Sequence, residues 1–97
     1  MVFGRRRDRY ELIGDILESV RQGSRKTRLM YTANLSFELV NKYIAFLEDR
    51  GLISKRGDTY FLTERGRSTL EKLRRYRDNK REMDEILSWL TVELGNS

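Results

Sequence analysis

Lys26-Thr27-Arg28-Leu29-Met30-Tyr31-Thr32-Ala33-Asn34-Leu35-Ser36, continuing through Val40, Tyr43, Ile44 and Leu47 to Gly51-Leu52-Ile53, reads as two helices joined by a tight turn. The first is short, Lys26 to Ala33, with Thr27 placed to cap it, and Asn34-Leu35 makes the turn. Ser36 suits the N-cap of a longer second helix. There Val40, Tyr43, Ile44 and Leu47 recur at three- and four-residue spacing and mark the buried face, and Gly51 ends the helix. The other face carries Glu38, Asn41, Lys42 and Ala45, without the large apolar side chains that burial would require. A helix pair with a polar stripe on its second member has the geometry of a helix-turn-helix reader. The same stripe also fits a simple solvated helix face.

The flanking sequence favours the reader. Upstream, Asp8 and Glu11 form a capping-box-like pair, and Leu12, Ile13, Ile16, Leu17 and Val20 make one apolar stripe that closes the core. Downstream, Leu52-Ile53-Ser54-Lys55 and Thr59-Tyr60-Phe61-Leu62 flank an Arg56-Gly57-Asp58 turn, a β-hairpin with Lys55 and Arg56 at its tip. Such a wing is placed to touch a phosphate backbone or minor groove, although basic hairpin tips also serve solubility. Arg56-Gly57-Asp58 spells the integrin-binding tripeptide as well, but three residues match often by chance and nothing here suggests secretion.

From Thr63, placed as a cap, a single helix is expected to run to about Leu94, roughly 48 Å at 1.5 Å per residue. Leu73, Tyr76, Lys80, Met83, Leu87, Leu90 and Leu94 follow alternating three- and four-residue steps, the seam of a coiled coil. A domain whose core is already closed leaves this stripe for a partner helix. In an antiparallel pair Lys80 would lie near the centre, neutralised by Asp84 or Glu85 of the second copy. The alternative is a helix folded back on its own domain.

The 97 residues carry a net charge of +5, and fifteen of the 20 basic residues are arginine. That balance favours a polyanionic partner, nucleic acid before membrane, since no apolar run is long enough to span a bilayer. Without Cys or His, disulfides, Cys/His metal sites, Cys nucleophiles and His bases are excluded. Carboxylates at Glu48-Asp49, Glu82 and Asp84-Glu85 read as solvated helix faces. We expect no enzyme activity, no cofactor, no small-molecule substrate and no metal. The start of the chain lacks the apolar core of a signal peptide, and an intracellular, cytoplasmic (nucleoid) location is expected.

The residues that would meet DNA are Arg25, Lys26 and Arg28, Ser36, Glu38, Asn41 and Lys42, and Lys55 and Arg56 on the wing. Arg5, Arg6, Arg7 and Arg9 would add sequence-independent attraction. Base readout would fall to Glu38, Asn41, Lys42 and Ala45, since Asn suits adenine, Lys guanine, and a small apolar group the thymine methyl. On the last helix, Glu71 with Arg75 and Asp78 with Arg81 are spaced to pair.

The Lys26–Ser36 run, together with Tyr43, Leu47, Gly51-Leu52-Ile53 and Leu62-Thr63-Glu64-Arg65-Gly66, resembles a family of small archaeal winged-helix proteins. The resemblance covers about residues 7 to 75. It implies a mostly α, α+β winged helix-turn-helix that binds double-stranded DNA through the second reader helix and the wing, in a nucleoid-associated or transcription-regulating role. Some members form homodimers through an antiparallel coiled coil of their long C-terminal helices. Leu39 stands where members often have a polar residue. The expected organisation is a basic tail over 1–7, a winged-helix domain over 8–69 and a dimerisation helix over 70–97. The rival reading is a winged helix that serves as a protein-interaction module in a transcription or chromatin assembly.

Overall fold

The computed structural model describes residues 7–95. Its elements run α1 (Arg9–Val20), β1 (Ser24–Arg25), α2 (Lys26–Thr32), α3 (Phe37–Asp49), β2 (Ile53–Arg56), β3 (Thr59–Leu62) and α4 (Glu64–Leu94). Arg5 and Arg6 of the expected basic tail lie outside the described residues. Arg7 does not trail free: it reaches Asp15 at 2.6 Å and donates to the carbonyl of Asn34 at 3.4 Å.

Local chemistry sets each boundary. The Asp8 carboxylate accepts from the Glu11 amide at 2.8 Å and the Glu11 side chain accepts from the Asp8 amide at 3.1 Å, closing the capping box of α1. Thr27 does not cap α2. That helix begins at Lys26 with Arg25 at the N-cap and no side-chain cap bond, because Ser24 and Arg25 are held extended by pairing with Tyr60 and Thr59. This two-residue strand is too short to show a period in sequence.

Asn34 adopts φ 54 after α2, and the amides of Asn34 and Leu35 return to the carbonyls of Tyr31 and Met30 at 3.2 and 2.9 Å. This is a Schellman ending with Asn in the left-handed position. Gly51, at φ 72, ends α3 the same way through Gly51 to Glu48 and Leu52 to Leu47. Ser36 caps α3, accepting from the Leu39 amide at 3.2 Å.

The sheet order is β1-β3-β2, antiparallel throughout. Gly57 at φ 62 supplies the first position of the two-residue hairpin turn, as a type II′ turn requires. The core joins Ile13, Ile16, Leu17 and Val20 of α1 to Leu29, Val40, Ile44, Leu47, Ile53, Tyr60, Leu62 and Leu70.

α4 is one unbroken helix, capped by Thr63, whose hydroxyl accepts from the Gly66 amide at 3.0 Å. Its first half lies on α1. Leu73 packs on the core, and the Tyr76 ring meets Tyr10 edge-on at 5.4 Å. Arg74 forms a two-pronged pair with Glu18 at 2.9 and 2.5 Å, reaching across to α1 instead of staying on its own helix.

Lys80 is already engaged within its own chain, where its ammonium sits 2.9 Å from both Asp8 and Glu11 of the α1 capping box. Beyond it, Met83, Leu87, Leu90 and Leu94 stand exposed, joined by Ile86.

Candidate nucleic-acid interface

α3 is held by Val40, Ile44 and Leu47 and turns Glu38, Lys42 and Ala45 outward, with Asn41 half-buried at the edge. The ammonium of Lys42 leans over the Tyr43 ring, 5.9 Å from its centroid. Phe37, the first residue of the helix, carries Lys26 over its ring at 5.8 Å. Lys26 in turn shares a hollow of about 310 Å³ with Arg25, Thr27, Lys55, Asp58 and Tyr60. The start of α2, the start of α3 and the wing therefore meet around one basic depression.

Within it the charges are not equal. Arg25 pairs with Asp58 at 3.3 Å, whereas Lys26 and Lys55 form no ion pair among the described residues. Lys55 lies over Tyr60 at 5.6 Å and Arg56 over Phe61 at 4.7 Å, so both wing cations rest on aromatic rings. Arg28 is exposed beside Arg25 in a neighbouring hollow of about 250 Å³ lined also by Thr27 and Thr59.

Thus Arg25, Lys26, Arg28 and Lys55 are gathered on one side. Glu38, Asn41 and Lys42 lie along α3, Ser36 is engaged as its cap, and Arg56 sits on the wing over Phe61.

Two apolar residues, Tyr31 and Phe37, escaped sequence reasoning, and Leu39 entered it only through the family resemblance. Tyr31 is 84% exposed, and Phe37 and Leu39 are also exposed at the start of α3. Phe37 lies three residues before Val40 and continues the spacing of the Val40-Ile44-Leu47 stripe, so periodicity hid its exposure, whereas Leu39 falls outside that stripe. Arg9 and Arg50 were missed as neighbours. Both lie over the Phe46 ring, at 4.9 and 5.1 Å from its centroid, although 41 positions separate them in the chain.

The cluster at the start of α1 fixes how α4 leaves the domain. Burial alone would push the Asp8 carboxyl up, but hydrogen bonds from Tyr76, Lys80 and the Glu11 amide outweigh it and hold the group at about 2, against an ordinary 3.8. The hydrogen bond from Lys80 likewise lowers Glu11, and the Lys80 ammonium is raised in return. Because Asp8 is depressed in the folded state, its contribution to stability is present above about pH 4 and is lost as pH falls toward 2. Urea melts across that window should show declining stability, and Lys80→Met should flatten the decline; an equally steep acid limb in the variant would rule out the cluster as its source.

Among the described residues, no group of three or more acidic side chains is arranged to hold a metal ion, and no helix is long and apolar enough to cross a membrane.

A three-helix unit with an outward-facing second reader helix, a β-hairpin and a short first strand defines a winged helix-turn-helix protein. The chain belongs to that family, whose model matches residues 6–81. An uncharacterised protein of Methanocaldococcus jannaschii is 39% identical over 69 residues, covering 70% of this chain and 71% of that protein. A second from the same organism is 38% identical over 69 residues, but the match spans only 33% of its length.

Among solved structures, the chain is similar to Sso10a-2, a DNA-binding protein from Sulfolobus solfataricus, with a TM-score of 0.82 at 22% identity over 94% of this chain and 99% of that one. It is also similar to a MarR family transcriptional regulator from Silicibacter pomeroyi, with a TM-score of 0.58 at 19% identity over 84% and 60% of the two chains. At these identities the likeness is one of fold.

Proposed function

We propose that this chain binds double-stranded DNA as a homodimer, in an archaeal nucleoid-associated or transcription-regulating role in the cytoplasm, without catalysis. The observation that carries this reading is the basic depression beside the start of α3, where Lys26 and Lys55 stand without carboxylate partners among the described residues. With the outward face of α3 in a major groove, Lys26, Arg28 and Lys55 meet phosphates, and Glu38, Asn41 and Ala45 meet base edges. Arg25, partly offset by Asp58, adds less. The dimer would form through the exposed Met83, Leu87, Leu90 and Leu94, with Leu73, Tyr76 and Lys80 holding the helix to its own domain. The fold shared with Sso10a-2, a DNA-binding protein, supports the assignment.

The test is fluorescence anisotropy with a short random-sequence duplex at several salt concentrations. We expect log affinity to fall steeply with log salt, and Lys42→Gln with Arg56→Gln together to weaken binding and reduce the slope by up to about 1.8, near 0.9 per lost phosphate contact. An unchanged affinity in that double variant would remove these two residues from the interface.

A second reading has its own observation. Tyr31, Phe37 and Leu39 leave apolar surface exposed at the reader turn, which suits a protein-interaction module. That reading predicts weak DNA binding at any salt and a C-terminal helix that pairs poorly with itself.

A further inference from the structure

We propose that Arg9, Lys42 and Arg50 form a second phosphate clamp for the DNA backbone, on the edge of α3 remote from the wing. The proposal rests on the DNA-binding reading above and adds to it a second strand contact.

Three cations converge here from two elements. Arg9 opens α1, Arg50 closes α3, and their guanidinium groups both lie over the Phe46 ring, at 4.9 and 5.1 Å from its centroid. Lys42 stands over the adjacent Tyr43. Arg9, Lys42, Tyr43 and Phe46 line a hollow of about 310 Å³. Glu48 and Asp49 immediately precede Arg50, yet none of the three cations forms an ion pair among the described residues. Arg9 and Lys42 at this hollow, with Arg50 beside it on the same Phe46 ring, repel one another, and an anion entering it relieves that repulsion. A guanidinium stacked face-on against a ring keeps its in-plane N–H donors free, which is the geometry that grips phosphate oxygens in pairs.

The position on α3 indicates which anion. Phe37 and Phe46 are nine residues apart, a rotation of about 900° at 3.6 residues per turn, so they lie on opposite edges of the helix. Phe37 carries Lys26 and adjoins the wing hollow; Phe46 carries Arg9 and Arg50. A helix with side chains is about 10–12 Å across, close to the roughly 12 Å width of the major groove. With α3 in the groove, one cation set therefore faces each wall. The two clamps would grip backbones on opposite sides of the groove and set the depth and tilt of the helix between them.

The experiment compares full-length wild type, Arg9→Gln/Arg50→Gln and Lys55→Gln by anisotropy on one random-sequence duplex across a salt series, with circular dichroism melts to establish folding. The clamp predicts that the arginine double variant loses about 1.8 from the salt slope and on the order of tenfold or more in affinity at about 0.1 M salt. Lys55→Gln should lose about 0.9, and the losses should add in the triple variant because the sites are separate. Arg9→Lys/Arg50→Lys, which keeps the charge, should retain most of the slope; if the glutamine double variant fails to fold, Arg50→Gln alone takes its place and is expected to lose about 0.9. A folded Arg9→Gln/Arg50→Gln protein with wild-type slope and affinity overturns the clamp while leaving the wing-side interface standing. Wild type that ignores the duplex even at low salt overturns the DNA-binding reading and the clamp with it.

Discussion

Leu87→Asp is expected to run as a monomer in light scattering at concentrations where the proposed wild-type dimer forms, with its winged-helix domain folded. The free part of α4 begins where contact with α1 ends. Lys80 is held to the domain through Asp8 and Glu11, whereas Leu87 is 64% exposed, Met83 67% and Leu94 72%, with Leu90 and Ile86 partly open beside them. Among the described residues nothing covers this apolar stripe.

If two copies pair antiparallel about the middle of this stretch, Leu87 meets Leu90 and Met83 meets Leu94 of the second copy. Burying each such side chain contributes about 1.5–3 kcal/mol, and both copies contribute. An aspartate at the centre removes two of these contacts and places two carboxylates in a water-excluded seam, at a cost of several kcal/mol per charge. The wild-type dimer should also bind long DNA more tightly than the monomeric variant by roughly 10²–10⁴-fold when both readers can engage one molecule. On a duplex too short for two readers the difference should shrink to a small factor. A dimer that survives Leu87→Asp would move the interface elsewhere on the molecule.

The same helix shows where sequence was legible and where it was not. The three- and four-residue spacing from Leu73 to Leu94 was visible, as were the Thr63 cap and the length of the helix. Periodicity reports that a stripe is covered and is silent about what covers it. Leu73, Tyr76 and Lys80 continue the pattern of Met83 to Leu94 without a break, yet the first three lie against α1 of their own chain. Telling the two apart needs the position of Asp8 and Glu11, which were readable only as a cap.

The reader unit was more legible because its signals are local: Ser36, Asn34 and Gly51 act on amides within a few residues of themselves. The stacking of Arg9 and Arg50 on Phe46 is the opposite case. It depends on where α1 starts relative to the end of α3, and no local rule carries that. β1 failed for a third reason, since Ser24 and Arg25 are extended only because β3 lies beside them.

Gly66→Ala tests a contact on which the geometry of the whole unit depends, and it should lower stability by about 2–3 kcal/mol, opposite in sign to the usual effect of removing a helical glycine. In most helix interiors alanine is favoured over glycine by about 1 kcal/mol. At position 66, however, a methyl group would lie 2.0 Å from the carbonyl oxygen of Leu52 and 3.0 Å from the Leu62 side chain. That carbonyl has little room to retreat. It accepts from the Thr63 amide at 3.2 Å, the Leu52 amide is held by Leu47 at 2.9 Å in the ending of α3, and the Thr63 hydroxyl donates to the neighbouring Gly51 carbonyl at 2.6 Å. The end of α3, the entry to β2 and the first turn of α4 are thus joined at one point, and a methyl there must pry them apart.

For a domain of this size the loss corresponds to a fall in melting temperature of roughly 10 °C or more by circular dichroism. Gly14→Ala supplies the contrast, because its new methyl would make an ordinary contact 3.7 Å from Leu73 and should leave the protein as stable or slightly more so. If Gly66→Ala melted at or above the wild-type temperature while Gly14→Ala behaved as expected, α4 would not approach Leu52 as closely as the fold requires, and the angle between the wing and the long helix would have to be drawn differently.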